Sequence, residues 1–151
     1  MSAKADSCTC ITPVNILIAE DDGDDVLLLS RAFKRAGISA NLFFVRDGQE
    51  AIDFLQGKGP YADRQNYPIP ALLVVDVNMP GVGGIEVLEW LITRPELRGI
   101  RVVIFSSVIA PEICQAASKL GAYRCIAKPT DPLAWMPLCR ELHACAAPHG
   151  A

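Results

Sequence analysis

Apolar and polar positions along the chain follow two alternating rhythms. Solid apolar runs at Val14 to Ala19, Leu42 to Val45, Ala71 to Val75, Arg101 to Phe105 and Tyr123 to Ala127 are separated by stretches whose apolar residues recur at helical spacing. A run bounded by breakers, as the third is by Pro70 on one side and Pro80-Gly81 on the other, suits a parallel strand covered on both faces. The intervening stretches predict helices with inward positions Val26, Leu29, Ala32 and Phe33, then Ala51, Ile52 and Leu55, then Ile85, Leu88 and Ile92 within Ile85 to Thr93. A fourth helix is predicted over Glu112 to Leu120. A fifth, within Asp131 to Ala146, has Trp135, Leu138, Cys139, Leu142 and Cys145 on one stripe. Five β-α pairs without an internal repeat predict an α/β fold, a doubly wound five-stranded parallel sheet with right-handed crossovers.

Caps and loops sharpen this outline. Asp22 or Asp24 is placed to cap the first helix and Gly37 to end it, while Asp47-Gly48 turns the second strand into the second helix. Gly57-x-Gly59-x-x-Ala62 carries the letters of a dinucleotide fingerprint, but it follows a helix and enters a proline-rich loop, the wrong context for that motif. Lys58 to Pro70 is a long connection, and Tyr61 and Tyr67 within it predict an ordered, packed loop. Residues 1–13 read as a loose arm, 14–146 as one domain and 147–151 as a tail.

The strand ends carry the chemistry. In an open parallel sheet the ligand crevice lies at the carboxyl ends of the strands. There the pattern delivers Glu20 and Asp21, Asp76, a serine hydroxyl from Ser106 or Ser107, and Lys128. Each has a bland alternative, since Asp21 and Asp76 would also serve as helix caps or turn residues and a surface lysine usually extends into solvent. Carboxylates gathered without a counter-charge repel. Mg²⁺, commonly held by one or two carboxylates, waters and a phosphate, removes that difficulty, so the set suits phosphoryl transfer. An EF-hand reading of Glu20 to Asp25 fails on spacing.

Glu20-Asp21, Asp76-x-Asn78-Met-Pro80-Gly81, Ser106 and Lys128-Pro129, each at a strand end and in this order, resemble the receiver domain of two-component response regulators. The tract Phe54 to Asp63 is similar to that of the single-domain regulators of bacterial phytochromes. The resemblance implies a flavodoxin-like (CheY-like) strand order 2-1-3-4-5, Asp76 as phosphoacceptor, and Mg²⁺ held by Glu20, Asp21, Asp76 and the Asn78 main-chain carbonyl. It further implies Ser106 and Lys128 at the phosphoryl oxygens and a cis bond before Pro129. A sensor histidine kinase, suspected to be of phytochrome type, is the implied donor, with a histidine phosphotransfer protein as a possible onward partner. The implied chemistry is self-catalysed phosphoryl transfer and autodephosphorylation rather than enzymic turnover, and a receiver without an output domain is expected.

This chain departs from the family pattern at two places. Gly83 stands where an acid is usual, which predicts a freer loop. Cys125 stands where the family commonly has a switch aromatic, so either Tyr123, two residues earlier on the same strand face, substitutes for it or the coupling runs without a rotor. A haloacid-dehalogenase-like phosphatase would also use a strand-end Asp with Mg²⁺, but its nucleophile ends the first strand in an Asp-x-Asp order that is absent here. A pure binding module with a degenerate site is opposed by retention of every polar position.

Composition narrows the partners. The 151 residues are 51% hydrophobic, enough for a sizeable core, and the net charge of −3 with no basic cluster argues against nucleic acid. No apolar run approaches the ~20 residues that span a bilayer, and no signal peptide is evident, so a cytoplasmic protein is expected. The six cysteines do not predict a disulfide framework in such a chain, and Cys114, Cys125 and Cys139 read as small buried hydrophobes. Cys8 and Cys10 with His143, Cys145 and His149 lack zinc spacing. Leu133 and Met136 lie off the core stripe of the last helix, and with the family's habits they predict a homodimer through the fourth helix, fifth strand and last helix. Pro137 complicates that register, because a later helix start moves Met136 toward the core.

Overall fold

The computed structural model describes residues 13–147. The elements run β1 (Val14–Ala19), α1 (Gly23–Arg35), β2 (Ala40–Val45), α2 (Gly48–Gln56), β3 (Leu72–Val75), α3 (Gly84–Leu91), β4 (Arg101–Ser106), α4 (Pro111–Lys119), β5 (Arg124–Ala127) and α5 (Trp135–Ala146). All sheet pairings are parallel, in the order β2-β1-β3-β4-β5, as the resemblance implied.

Period-two alternation divides the strands between two apolar layers. Leu17, Leu73, Val75, Val102 and Ile104 pack toward α2, α3 and α4, whereas Ile16, Ile18, Leu72, Val74, Val103 and Phe105 pack toward α1 and α5. Each such side chain contributes on the order of 1.5–3 kcal/mol by leaving water. In the central strands β1, β3 and β4 both faces are covered, so polar chemistry is confined to their ends. That is why these apolar runs terminate on polar or charged residues.

The caps follow the expected chemistry. Asp22, not Asp24, caps α1 by accepting the Asp24 N–H at 2.9 Å, and Asp47 caps α2 by accepting the Glu50 N–H at 2.8 Å. Gly57 ends α2 at φ 71°, a conformation that disfavours any side chain. The long loop after it is ordered by one guanidinium. Arg64 donates to the carbonyls of Phe54 (2.8 Å), Leu55 (2.6 Å) and Tyr67 (3.0 Å), satisfying the open C-terminus of α2. Tyr61 and Tyr67 meet edge-to-face at 5.3 Å and both pack on Phe54.

Several expectations need correction. In α3 Gly84, Val87 and Leu88 are buried and Ile85 packs half-buried on the same layer, whereas Ile92 is exposed because the helix ends at Leu91. Cys139 and Cys145 are buried, while Cys114 and Cys125 are only half-buried, and these four are free thiols. Cys8, Cys10 and His149 lie outside the described residues, as do the N-terminal arm up to residue 12 and the tail from residue 148. The last helix begins at Trp135 after a 3-10 turn over Pro132–Ala134. Pro137 therefore falls in the first helical turn, where its missing N–H costs nothing, and Met136 rotates against the α1/α5 layer while Leu133 remains exposed. The predicted pairing of Leu133 with Met136 on one surface does not hold. Among the described residues, no helix is long and apolar enough to cross a membrane.

Candidate functional site

Backbone ladders deliver the site residues. The Glu20 N–H donates to the Val45 carbonyl (2.9 Å), the Asp76 N–H to that of Ala19 (3.3 Å) and the Lys128 N–H to that of Ser106 (2.9 Å). The pairing of β1, β2, β3, β4 and β5 is thus continued one residue past the strands, where the chemistry begins.

At the centre is the Lys128 ammonium. Its Nζ stands 2.8 Å from each of three carboxylate oxygens, Glu20 Oε1, Asp25 Oδ2 and Asp76 Oδ2, and 5.6 Å from the centre of the Phe105 ring. Burial alone would lower the lysine pKa, but its close ion pairs with Asp25, Asp76 and Glu20 outweigh that and raise it, so the ammonium stays charged. Asp76 is nearly buried. Its Oδ1 accepts the Asn78 N–H at 2.8 Å and its Oδ2 faces Lys128. The Asn78 side-chain amide in turn donates to the Ser106 hydroxyl at 3.2 Å. Ser106 is fully buried at the site, whereas Ser107 is exposed.

Glu20 is the strained member. Burial drives its pKa up to about 7 against the lowering influence of Lys128 and of the Asp22 N–H on its Oε2. Its Oε1, although close to Lys128, receives no directed hydrogen bond. A buried carboxylate oxygen left in that condition is costly. Ligand oxygens of Glu20, Asp21 and Asp76 lie within 4.8 Å of one another. Three hard oxygen donors around an unsatisfied acid fit a divalent cation.

Other expected site residues are placed differently. The bond before Pro129 is trans, since no cis peptide occurs among the described residues; Lys128 reaches its carboxylates in that geometry, and an X-Pro bond separates the two isomers by only about 0.5–1 kcal/mol. Tyr123 precedes β5, with Arg101 4.9 Å and Arg124 5.7 Å from its ring centre. It sits five residues before Lys128, roughly 16 Å along an extended chain, so it does not supply the missing aromatic at the site. Cys125 packs toward α2, α3 and α4, where burial and the adjoining Cys114 thiol push its pKa up to about 11.

Gly83 also behaves differently from expectation. Its N–H donates to Glu86 Oε1 at 3.1 Å, and a Cβ added there would lie 2.7 Å from the Val77 carbonyl oxygen. The glycine permits a tight approach of α3 to the loop after Asp76 instead of loosening it.

Asp25 was missed in the sequence. Four of the five residues from Asp21 to Asp25 are acidic, and only Asp25 turns inward. The one available signal was its position a helical turn beyond Asp21, which is indistinguishable from an ordinary acidic first turn.

Comparison with known proteins agrees with this geometry. Response regulator Rcp1 of Synechocystis is 37% identical over 95 residues, a stretch that spans 63% of this chain and 63% of that protein, just under two thirds. The crystal structure of response regulator RPA3017, from red light signaling of R. palustris, superposes with a TM-score of 0.79 at 33% identity over 86% of this chain and 90% of that one. The phosphorylated cyanobacterial phytochrome response regulator RcpA gives 0.78 at 27% over 86% and 91%. The Mn²⁺-bound form of response regulator Rcp1 gives 0.76 at 29% over 87% and 93%. The response regulator receiver domain matches residues 16–136, and the chain belongs to that family.

Proposed function

We propose that this protein is the phosphoacceptor of a two-component phosphorelay, taking a phosphoryl group on Asp76 from a phosphohistidine of a sensor histidine kinase. The observation that carries this reading is the buried Asp76 carboxylate with the Lys128 ammonium 2.8 Å from its Oδ2. An Asp76 oxygen bonds to phosphorus as the P–N bond to the donor's imidazole breaks, and the bonding pair leaves with the imidazole nitrogen. Lys128 offsets the charge of the phosphoryl oxygens as they arrive. The Ser106 hydroxyl leaves the Asn78 amide to reach one of them. Glu20, Asp21, Asp76 and the Asn78 main-chain carbonyl would hold Mg²⁺, which when bound supplies neutralisation of the incoming phosphate.

Similarity to the regulators of red light and phytochrome signalling supports a phytochrome-type kinase as the donor. Output then passes by conformational change or onward transfer to a histidine phosphotransfer protein, in the cytoplasm. Similarity to single-domain receivers, which commonly pair through α4, β5 and α5, supports a homodimer, with the exposed Leu133 on the turn just before α5.

Acetyl phosphate with Mg²⁺ tests the acceptor assignment directly. The wild type should be labelled on Asp76, Asp76→Asn should not be labelled, and chelation should block both gain and loss of the label. Label on Asp21, or label without metal, would overturn the reading.

A further inference from the structure

We propose that Asp25 is a positioning residue for Lys128, anchoring the ammonium beside the phosphoacceptor when the metal ligands turn to their cation; this rests on the phosphoacceptor reading above. An ammonium has three N–H donors, and here three carboxylates stand 2.8 Å from it. Two of those carboxylates, Glu20 and Asp76, also belong to the triad able to hold a metal, and Asp25 does not. Lone pairs of Glu20 and Asp76 engaged by a cation are withdrawn from Lys128. Asp25 is the partner that remains.

Its setting agrees with this role. Asp25 occupies the first turn of α1, yet Asp22 already caps that helix, so α1 does not require the Asp25 carboxylate. The neighbouring Asp22 and Asp24 are exposed, whereas the Asp25 side chain is 16% exposed and reaches a residue 103 positions away. Without Asp25 the ammonium has two partners, both of them groups that must be available to the cation and the phosphoryl group. It then either shields Asp76 or swings toward solvent, and each outcome slows transfer.

A negative charge this close to an incoming phosphate has an opposite, purely electrostatic effect, because removing it speeds the approach of an anionic donor. The two roles therefore predict opposite signs. Labelling by acetyl phosphate and calorimetric titration with Mg²⁺ alone should be measured on wild type, Asp25→Asn, Lys128→Ala and the double variant. Asp25→Asn is expected to label about tenfold more slowly and to bind Mg²⁺ several-fold more weakly, and Asp25→Ala to do the same. In the Lys128→Ala background the change at position 25 should alter either quantity less than twofold, since its effect runs through the ammonium. Faster or unchanged labelling of Asp25→Asn, or an equal loss with and without Lys128, would overturn the proposal. A wild type that takes no label on Asp76 would instead remove the phosphoacceptor reading on which it stands.

Discussion

The ammonium of Lys128 and the carboxylate of Asp76 stand 2.8 Å apart although 52 residues separate them in sequence. Lys128 is 10% exposed and is the common partner of Glu20, Asp25 and Asp76. Removing it leaves those carboxylates to repel one another out of reach of bulk water. Breaking a buried ion pair from one side typically costs about 3–5 kcal/mol. Lys128→Ala should therefore lose about 3 kcal/mol in urea unfolding without added metal, and millimolar Mg²⁺ should restore much of it. A loss that Mg²⁺ leaves untouched would show that the carboxylates are not a cation site.

Glu20 makes stability depend on pH in an unusual direction for an acid. Its pKa is raised by burial from the ordinary 4.5 to about 7 in the folded chain. The folded state thus holds this proton more tightly than the unfolded state, so the contribution is complete below about pH 4.5 and is lost as pH rises through about 7. The difference in unfolding free energy between wild type and Glu20→Gln, measured without metal, should fall by up to roughly 3 kcal/mol across that window. A difference that is flat with pH would contradict the buried, under-bonded state of Glu20.

Much of this site was legible because a parallel strand covered on both faces announces its end. The apolar run before Asp76 and the breakers after it leave one place for the carboxylate, and the same logic placed Glu20, Lys128 and a serine at position 106 or 107, with the family resemblance choosing Ser106. Asp25 was not legible, because its partner is 103 residues away and its neighbours are three more acids. Gly83 misled for a related reason. Sequence shows a glycine's freedom, whereas the Val77 carbonyl that fills the space beside it is a tertiary fact.

Gly83 yields a further prediction. An added side chain meets the Val77 carbonyl oxygen at 2.7 Å, far inside ordinary contact, and that backbone belongs to the loop leaving Asp76. Gly83→Asp, which restores the residue type usual in the family, should destabilise the protein by about 1–3 kcal/mol, the ordinary cost of overpacking. Thermal unfolding checks this. Unchanged or higher stability would mean that the loop yields freely.

Arg64 should separate stability from phosphorylation. Its hydrogen bonds to the Phe54, Leu55 and Tyr67 carbonyls hold the end of α2 and the loop that follows. Hydrogen bonds from a charged donor contribute about 1.5–3 kcal/mol each, and they do not add fully. Arg64→Ala is expected to cost about 2–4 kcal/mol and to increase proteolysis between Lys58 and Pro70, while the folded fraction still takes label on Asp76. Loss of labelling in fully folded Arg64→Ala would tie this loop to the reaction.

The dimer reading can be tested by two substitutions that now predict different outcomes. Leu133 is 83% exposed on the 3-10 turn capped by Asp131, so a charge there meets only solvent in a monomer. Met136 packs against the α1/α5 layer, so a charge there must be desolvated or must open the helix contact. Leu133→Glu should therefore leave Tm nearly unchanged and shift sedimentation from dimer to monomer. Met136→Glu should lower Tm by several degrees whatever the assembly state, and any dissociation it causes follows from that damage. A wild type that sediments as a concentration-independent monomer, with and without phosphorylation, rules the dimer out. A dimer that persists in folded Leu133→Glu moves the interface away from α4, β5 and α5.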